Sequence, residues 1–403
     1  MKLQPLTALQ VIELVPDSIL DALSRESRVD FGVKKLQGKV LFKLVIYAFL
    51  SSKQISLRIL EAIYNSEKFK ALFNIPFTAV TKKVTYAAVS FRLKNIDYRY
   101  FEKIFKYLIS SVPIQDVFFN SQKINLRKID STMLSISSKL LSWGTHSSGG
   151  QNNLKVTLEL TGGIPVNFIL FKDQKYLAEE LALPEAVKRQ AVKKALNIAI
   201  FDRGIKKVSN YLDFSEQEIS FISRLQNHKN FKVVKENSLN SNQTATLKLL
   251  SDEVISFSGK AVLGINGKLQ KFNRLRMVTA KSKTTGQTIR FISNIDFLTA
   301  AEITDLYKSR WEIETFFKFI KQELNFKHFL SRDENGIKAM IFLTMITAIL
   351  LTLYKKVNNL SGWAVTKIKF MDELEVWLMK TWHREMAPAF VPLSSSLYPS
   401  LSG

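Results

Sequence analysis

The sequence predicts a mixed α/β fold behind a helical N-terminal segment, and three observations carry that reading. Apolar residues recur at helical spacing as far as about residue 112. From Ile124 the pattern turns to strands, then a helix, then a short apolar strand that closes on Asp202. A second run of short alternating strands, from Gln226 to Asn294, precedes a further helix.

The helical stripes of the first segment are Val40 to Leu50, Leu57 to Ile63 and Phe101 to Leu108. Ile124-Asn125-Leu126-Arg127-Lys128-Ile129-Asp130 then reads as a strand, Lys155 to Leu160 as a second, and Val166 to Phe171 as a third beyond a Gly162-Gly163 turn. Tyr176 to Leu196 has helical periodicity, and Asn197 to Asp202 is the short apolar run of a buried strand. Asp130 and Asp202 are each expected to end a strand, with turns opening at Ser131-Thr132 and Arg203-Gly204. Ligands collect at such strand ends, although an aspartate there is also an ordinary turn or capping residue. In the next region Arg274-Leu275-Arg276-Met277 returns through Thr284 to Gln287 into Ile289 to Ile292. A long helix from Ala300 to about Asn325, a second apolar helix from Ile337 and a Ser-rich tail after Pro392 complete the chain. The expected divisions are 1–112, 113–225, 226–294, 295–360 and 361–403.

Charge narrows the partners. The 403 residues carry 58 Lys+Arg against 35 Asp+Glu, a formal net charge of +23 that folding does not require and that suits an extended polyanion. Nucleic acid leads, ahead of an anionic membrane surface. The segment 226–294 has 12 basic and 3 acidic residues, denser than the chain average, and suits a phosphate backbone through Arg274, Arg276, Lys281 and Lys283. Thr78 to Lys94 mixes hydroxyl groups with Lys82 and Lys83 ahead of an apolar helix, which makes it a candidate recognition element. The only long uncharged run, Ala339 to Tyr354, is shorter than the ~20 residues of a membrane span. No secretory signal opens the sequence, so a cytoplasmic protein is expected. With no cysteine and four scattered histidines, a catalytic metal must be held mainly by oxygen, which favours Mg²⁺ or Mn²⁺.

On a continuous helix, Tyr307, Arg310, Glu314, Lys318 and Lys321 fall within roughly 80° of one another, while Glu312 points nearly opposite. One carboxylate then sits among three cations and a phenol, on a face without a large aliphatic residue. Glu and Lys four apart are also common on a purely structural helix. The cationic face around a single acid is nonetheless what a phosphate and a metal would need. Asp130, Asp202 and a glutamate could together supply oxygen ligands for two metal ions.

Tyr307, Arg310, Glu314 and Lys321 have the spacing Tyr, two residues, Arg, three residues, Glu, six residues, Lys. This resembles the signature of insertion-sequence transposases of the DDE type. The resemblance extends over Ile129 to Thr132, Lys155 to Pro165, Phe201 to Gly204, Phe221 to Leu225 and Glu334 to Ile337, and spans roughly residues 85 to 355. It implies an RNase H-like (retroviral-integrase-like) core with a β-rich insertion before the final helices and an N-terminal helical DNA-binding domain. It implies that Asp130 bridges two Mg²⁺ or Mn²⁺ ions, that Asp202 and Glu314 hold one each, and that Tyr307, Arg310 and Lys321 contact element-end DNA. Some relatives trap a flipped base with an insertion-domain Trp, and this chain has none between Asp202 and Trp311. The implied partners are terminal inverted repeats and target DNA, bound by a homodimer. Two other readings stand beside it: a domesticated DNA-binding protein without catalysis, and an RNase H-like nuclease that does not join strands.

Overall fold

The computed structural model describes residues 4–75, 83–112, 117–119, 122–136, 145–146, 152–189, 196–225, 231–239, 244–258 and 273–386. Two compact units divide the chain, one of residues 1–92 with 350–403 and one of residues 93–349.

The first unit is helical: α1 (Ala8–Ile12), α2 (Asp17–Ser27), α3 (Gly38–Ser51), α4 (Leu57–Asn65), α5 (Glu67–Leu72) and most of α6 (Tyr86–Asn95). Thr7 and Gln10 form a reciprocal capping box at α1, and Ser56 and Ser66 cap α4 and α5 by accepting from Ile59 N–H and Phe69 N–H. The expected N-terminal domain does not stand alone. The C-terminal helix α13 (Trp363–Met386) closes the unit, its Glu373 accepting from Ala8 N–H at 2.8 Å and its Glu375 pairing with Lys68 at 2.5 Å. Helix α7 (Arg99–Ser111), which the periodicity grouped with these helices, belongs to the second unit.

The second unit is built on one sheet. Its strands are β1 (Val117–Phe119), β2 (Gln122–Ile136), β3 (Thr145–His146), β4 (Asn152–Thr161), β5 (Ile164–Phe171), β6 (Leu196–Phe201), β7 (Ser220–Arg224), β8 (Lys232–Glu236), β9 (Leu247–Ser256), β10 (Arg274–Ser282) and β11 (Thr288–Ser293). The order is β3-β4-β2-β6-β7-β11-β10-β9-β8, with β5 on β4 and β1 on β2. Strands β2, β6 and β7 run parallel; the other pairings are antiparallel. The β-rich segment 226–294 is therefore no separate body. Strand β11 pairs with β7, and the insertion extends the same sheet.

Alternation along β6 assigns the faces. Ala199 and Phe201 join the core under α8 (Glu179–Lys188) and α9 (Val208–Glu216), whereas Ile198 and Ile200 join that under α10 (Ala300–Lys308). The long helix expected from Ala300 is two helices. Backbone bonds shorten to three-residue spacing at Arg310→Tyr307, Glu312→Ser309 and Ile313→Arg310, and α11 (Trp311–Glu323) begins in that turn. Helix α12 (Glu334–Val357) is apolar and long enough for a membrane span by length and composition, yet nearly all of it is buried inside the protein.

Candidate active site

Register brings the two aspartates together. Lys128 of β2 lies beside Ile200 of parallel β6, an offset of 72 residues, and carrying that offset forward sets Asp130 beside Asp202. Strand β6 stops at Phe201, so Asp202 stands at a strand end as expected. Asp130 does not. It lies within β2, which continues to Ile136 because β4 pairs with it from Lys128 to Ile136. What ends there is the neighbouring strand, and an open edge is created beside Asp130 all the same.

Helix α11 is fastened to β2 on either side of Asp130. Lys128 Nζ pairs with Glu312 Oε2 at 2.8 Å, and Lys321 Nζ donates to Thr132 Oγ1. Lys128, Asp130 and Thr132 share one face of β2 by the two-residue period of a strand. Glu312 is thus a structural partner of a buried lysine. Lys321, expected on DNA, is half-buried and committed to Thr132, and burial together with nearby Lys327 holds its pKa down.

Between the aspartates and α11 lies Arg310, 8% exposed. Its Nη2 is 2.6 Å from Glu314 Oε1, its charge acts on both Asp130 and Asp202, and its Nε is buried without a hydrogen-bond partner. Tyr307, also 8% exposed, donates its hydroxyl to Asp202 Oδ1 at 2.9 Å. These two residues, expected to contact element-end DNA, are buried beside the carboxylates. The wheel treated residues 307 to 321 as one helix, and the break at Ser309-Arg310 invalidates that. Lys318 alone of the set is exposed.

Electrostatics separates the two aspartates. Burial pushes the Asp130 carboxyl up to about 6, with Glu179 and Asp202 adding to the rise and the Ser131 N–H and Arg310 opposing it. Burial acts the same way on Asp202, but the Arg203 N–H, Arg310 and the Tyr307 hydroxyl outweigh it and its pKa falls below the ordinary value. The phenol of Tyr307 is held protonated by burial and by the Asp202 charge.

The insertion gives a mixed outcome. Arg274, Lys281 and Lys283 are exposed. Arg276 is not available to DNA: it is buried and bidentate with Asp252 at 2.9 and 2.6 Å, and it also donates to the carbonyls of Ile295 at 3.0 Å and Leu298 at 2.5 Å. Alternation puts it on the same face of β10 as Arg274, and the partner Asp252 on β9 is what distinguishes the two. Lys83 is exposed, and Lys82 lies outside the described residues. Sequence reasoning missed Lys128 and Thr132, although both lie two residues from Asp130 on its own face, and it missed Glu179.

Residues 122–351 match the family described as Transposase DDE domain, which is more than half of the chain. The chain belongs to the DDE transposase family. Transposase y4zB of Sinorhizobium fredii is 28% identical over 40% of this chain and 44% of its own length. The transposase of insertion sequence element IS5377 from Geobacillus stearothermophilus is 23% identical over 71% of this chain and 72% of its own. The transposase of element IS4SA from Synechocystis is 23% identical over 66% of this chain and 71% of its own. The solved piggyBac transposase synaptic complex with hairpin DNA aligns at a TM-score of 0.49 and 11% identity, over 98% of this chain and 87% of that one. Membership in the DDE family implies a DNA-processing enzyme that depends on divalent metal ions.

A metal can be tested against the residues present. Among the described residues no three acidic or histidine side chains stand close enough to hold an ion as they are. The donors nevertheless suit a hard cation: two neighbouring carboxylates, one of which is so poorly compensated that burial raises its pKa to about 6. Glu314, the third, is paired with Arg310 at 2.6 Å.

Proposed function

We propose that this DDE transposase cleaves the ends of its element and joins them to target DNA, with Asp130, Asp202 and Glu314 holding two Mg²⁺ or Mn²⁺ ions. The observation that supports this reading is the register that sets Asp130 beside Asp202 across β2 and β6, with Arg310 acting on both aspartates and pairing with Glu314. The strand order β5-β4-β2-β6-β7, antiparallel and then parallel, supports an RNase H-like core. When bound, the ions would supply charge stabilisation at the scissile phosphate and activation of the attacking oxygen.

The remaining work falls to the chain. Tyr307 orients Asp202 by donating to one of its oxygens. The two ties from α11 to β2 fix the distance between Glu314 and Asp130. Arg310 is the counter-charge for all three carboxylates, and its unpartnered Nε is a donor suited to a phosphate oxygen. Arg274, Lys281 and Lys283, with exposed Lys318 and Lys83, supply phosphate contacts, and the helical unit formed from both chain ends takes the terminal repeats. Two element ends call for two copies of the chain, acting in the bacterial cytoplasm where the element lies. The test is to incubate the full chain with labelled element ends and a target plasmid in Mg²⁺. Cleaved ends and joined products support the proposal. Cleavage without joining assigns a nuclease, and DNA binding without cleavage assigns a non-catalytic DNA-binding protein.

A further inference from the structure

Helix α8 begins with two adjacent glutamates that are used differently. Glu180 is spent on structure: it accepts from Lys206 N–H at 2.5 Å, from Lys207 N–H at 3.1 Å and from Asn210 Nδ2 at 2.6 Å, which secures the start of α9. Glu179 reaches the other way. Its Oε2 is 2.5 Å from Nζ of Lys155, a residue of β4 that is almost wholly buried and that also donates to the Leu177 carbonyl at 3.1 Å.

The Glu179 side chain lies across the turn that follows Asp202. A Cβ on Gly204 would stand 2.4 Å from Glu179 Cγ, so the approach requires a residue without a side chain at 204. Gly204 N–H in turn donates to the Asp202 carbonyl at 2.8 Å, which ties that turn to the second aspartate. Asp130 senses the Glu179 charge as well. One Glu179 oxygen is engaged by Lys155, and a third of the side chain is open to solvent.

We propose that Glu179 is a further catalytic carboxylate of this site, one that orients the water that opens the DNA strand, with Lys155 and Gly204 as its positioning residues. This rests on the proposed function. In the hydrolytic step the water oxygen bonds to phosphorus and the bond from phosphorus to the 3′ oxygen breaks. The water proton passes to the Glu179 carboxylate and on to solvent, and the departing 3′ oxygen takes a proton from solvent. In joining, the attacking group is a DNA 3′-hydroxyl, whose place is set by the bound strand, so Glu179 matters less there. An acid at the first position of a helix, beside a lysine, is also favoured for structural reasons alone. The two steps separate these roles.

The experiment uses the full chain in Mg²⁺ with two substrates: an intact labelled element end, which reports hydrolytic nicking, and a pre-cleaved end with a target plasmid, which reports joining. Glu179→Gln keeps a hydrogen bond to Lys155 but accepts a water proton poorly. Nicking should fall by about a hundredfold, the usual size of a general-base contribution, while joining stays within about threefold. Thermal unfolding and gel-shift binding on the same preparations check the fold. If Glu179→Gln does not fold, Glu179→Asp keeps the charge, withdraws it by one methylene, and should show the same split. Equal loss of both steps, or unchanged nicking, overturns the proposal. Failure of the unaltered chain in both assays overturns the proposed function instead.

Discussion

Two arginines buried to the same degree, Arg276 in the extended half of the sheet and Arg310 beside the aspartates, face opposite circumstances. Arg276 is closed on every side, with a bidentate carboxylate at 2.9 and 2.6 Å and backbone carbonyls for its remaining donors. Arg310 makes one ion pair at 2.6 Å, leaves its Nε without a partner, and shares its charge among three carboxylates. A buried charge that serves the fold is satisfied within the fold. One left with an unpartnered donor among several carboxylates marks a place where a ligand is still to arrive.

The largest effect that could break this contrast is on stability. Arg276→Met removes the partner of Asp252, which is 3% exposed, and leaves an uncompensated buried carboxylate. Unfolding free energy should fall by about 3–5 kcal/mol, read from urea denaturation. A loss below about 1 kcal/mol would remove Arg276 from the structural class. Asp130→Asn is the converse. It deletes a carboxyl whose pKa burial has raised to about 6, and so should raise stability by on the order of 1 kcal/mol while abolishing nicking. If the substitution destabilises the protein, Asp130 is a structural residue. The smallest effect concerns the exposed cations. Neutralising Arg274, Lys281 and Lys283 together should shift stability by less than about 0.5 kcal/mol per site, yet lower DNA affinity and flatten its dependence on salt. Unchanged affinity and salt slope would leave the insertion without a DNA-binding role.

How legible these regions were differs for physical reasons. The place of Asp202 was legible because a short apolar run ending in a charge survives any uncertainty of register, whereas Asp130 lies within β2, which its pairing with β4 prolongs. The cation set could not be sorted, since Arg274 and Arg276 share a strand and a face by the two-residue period, and only Asp252 on β9 distinguishes them. Glu312 pointed away on an ideal continuous helix, but the helix is interrupted by the tightened turn at Arg310 and Glu312 meets Lys128. A wheel assumes one axis, and no residue between Tyr307 and Glu314 is a glycine or proline to warn of a second. The helical unit was half visible: its N-terminal helices show their period, but α13 is joined to them only by contacts such as Ala8 to Glu373 across 365 positions. The insertion read correctly as strands, while its union with the core sheet depended on the pairing of β11 with β7.

The central claim is that Asp130, Asp202 and Glu314 share divalent ions once Arg310 no longer occupies Glu314. Its most direct measurement is a Mn²⁺ titration, followed by electron paramagnetic resonance, on the full chain bound to element-end DNA. The unaltered chain should bind two ions, and Asp130→Asn and Glu314→Gln should each lose at least one while still shifting the DNA on a gel. Two ions bound with unchanged affinity in both variants would contradict the account.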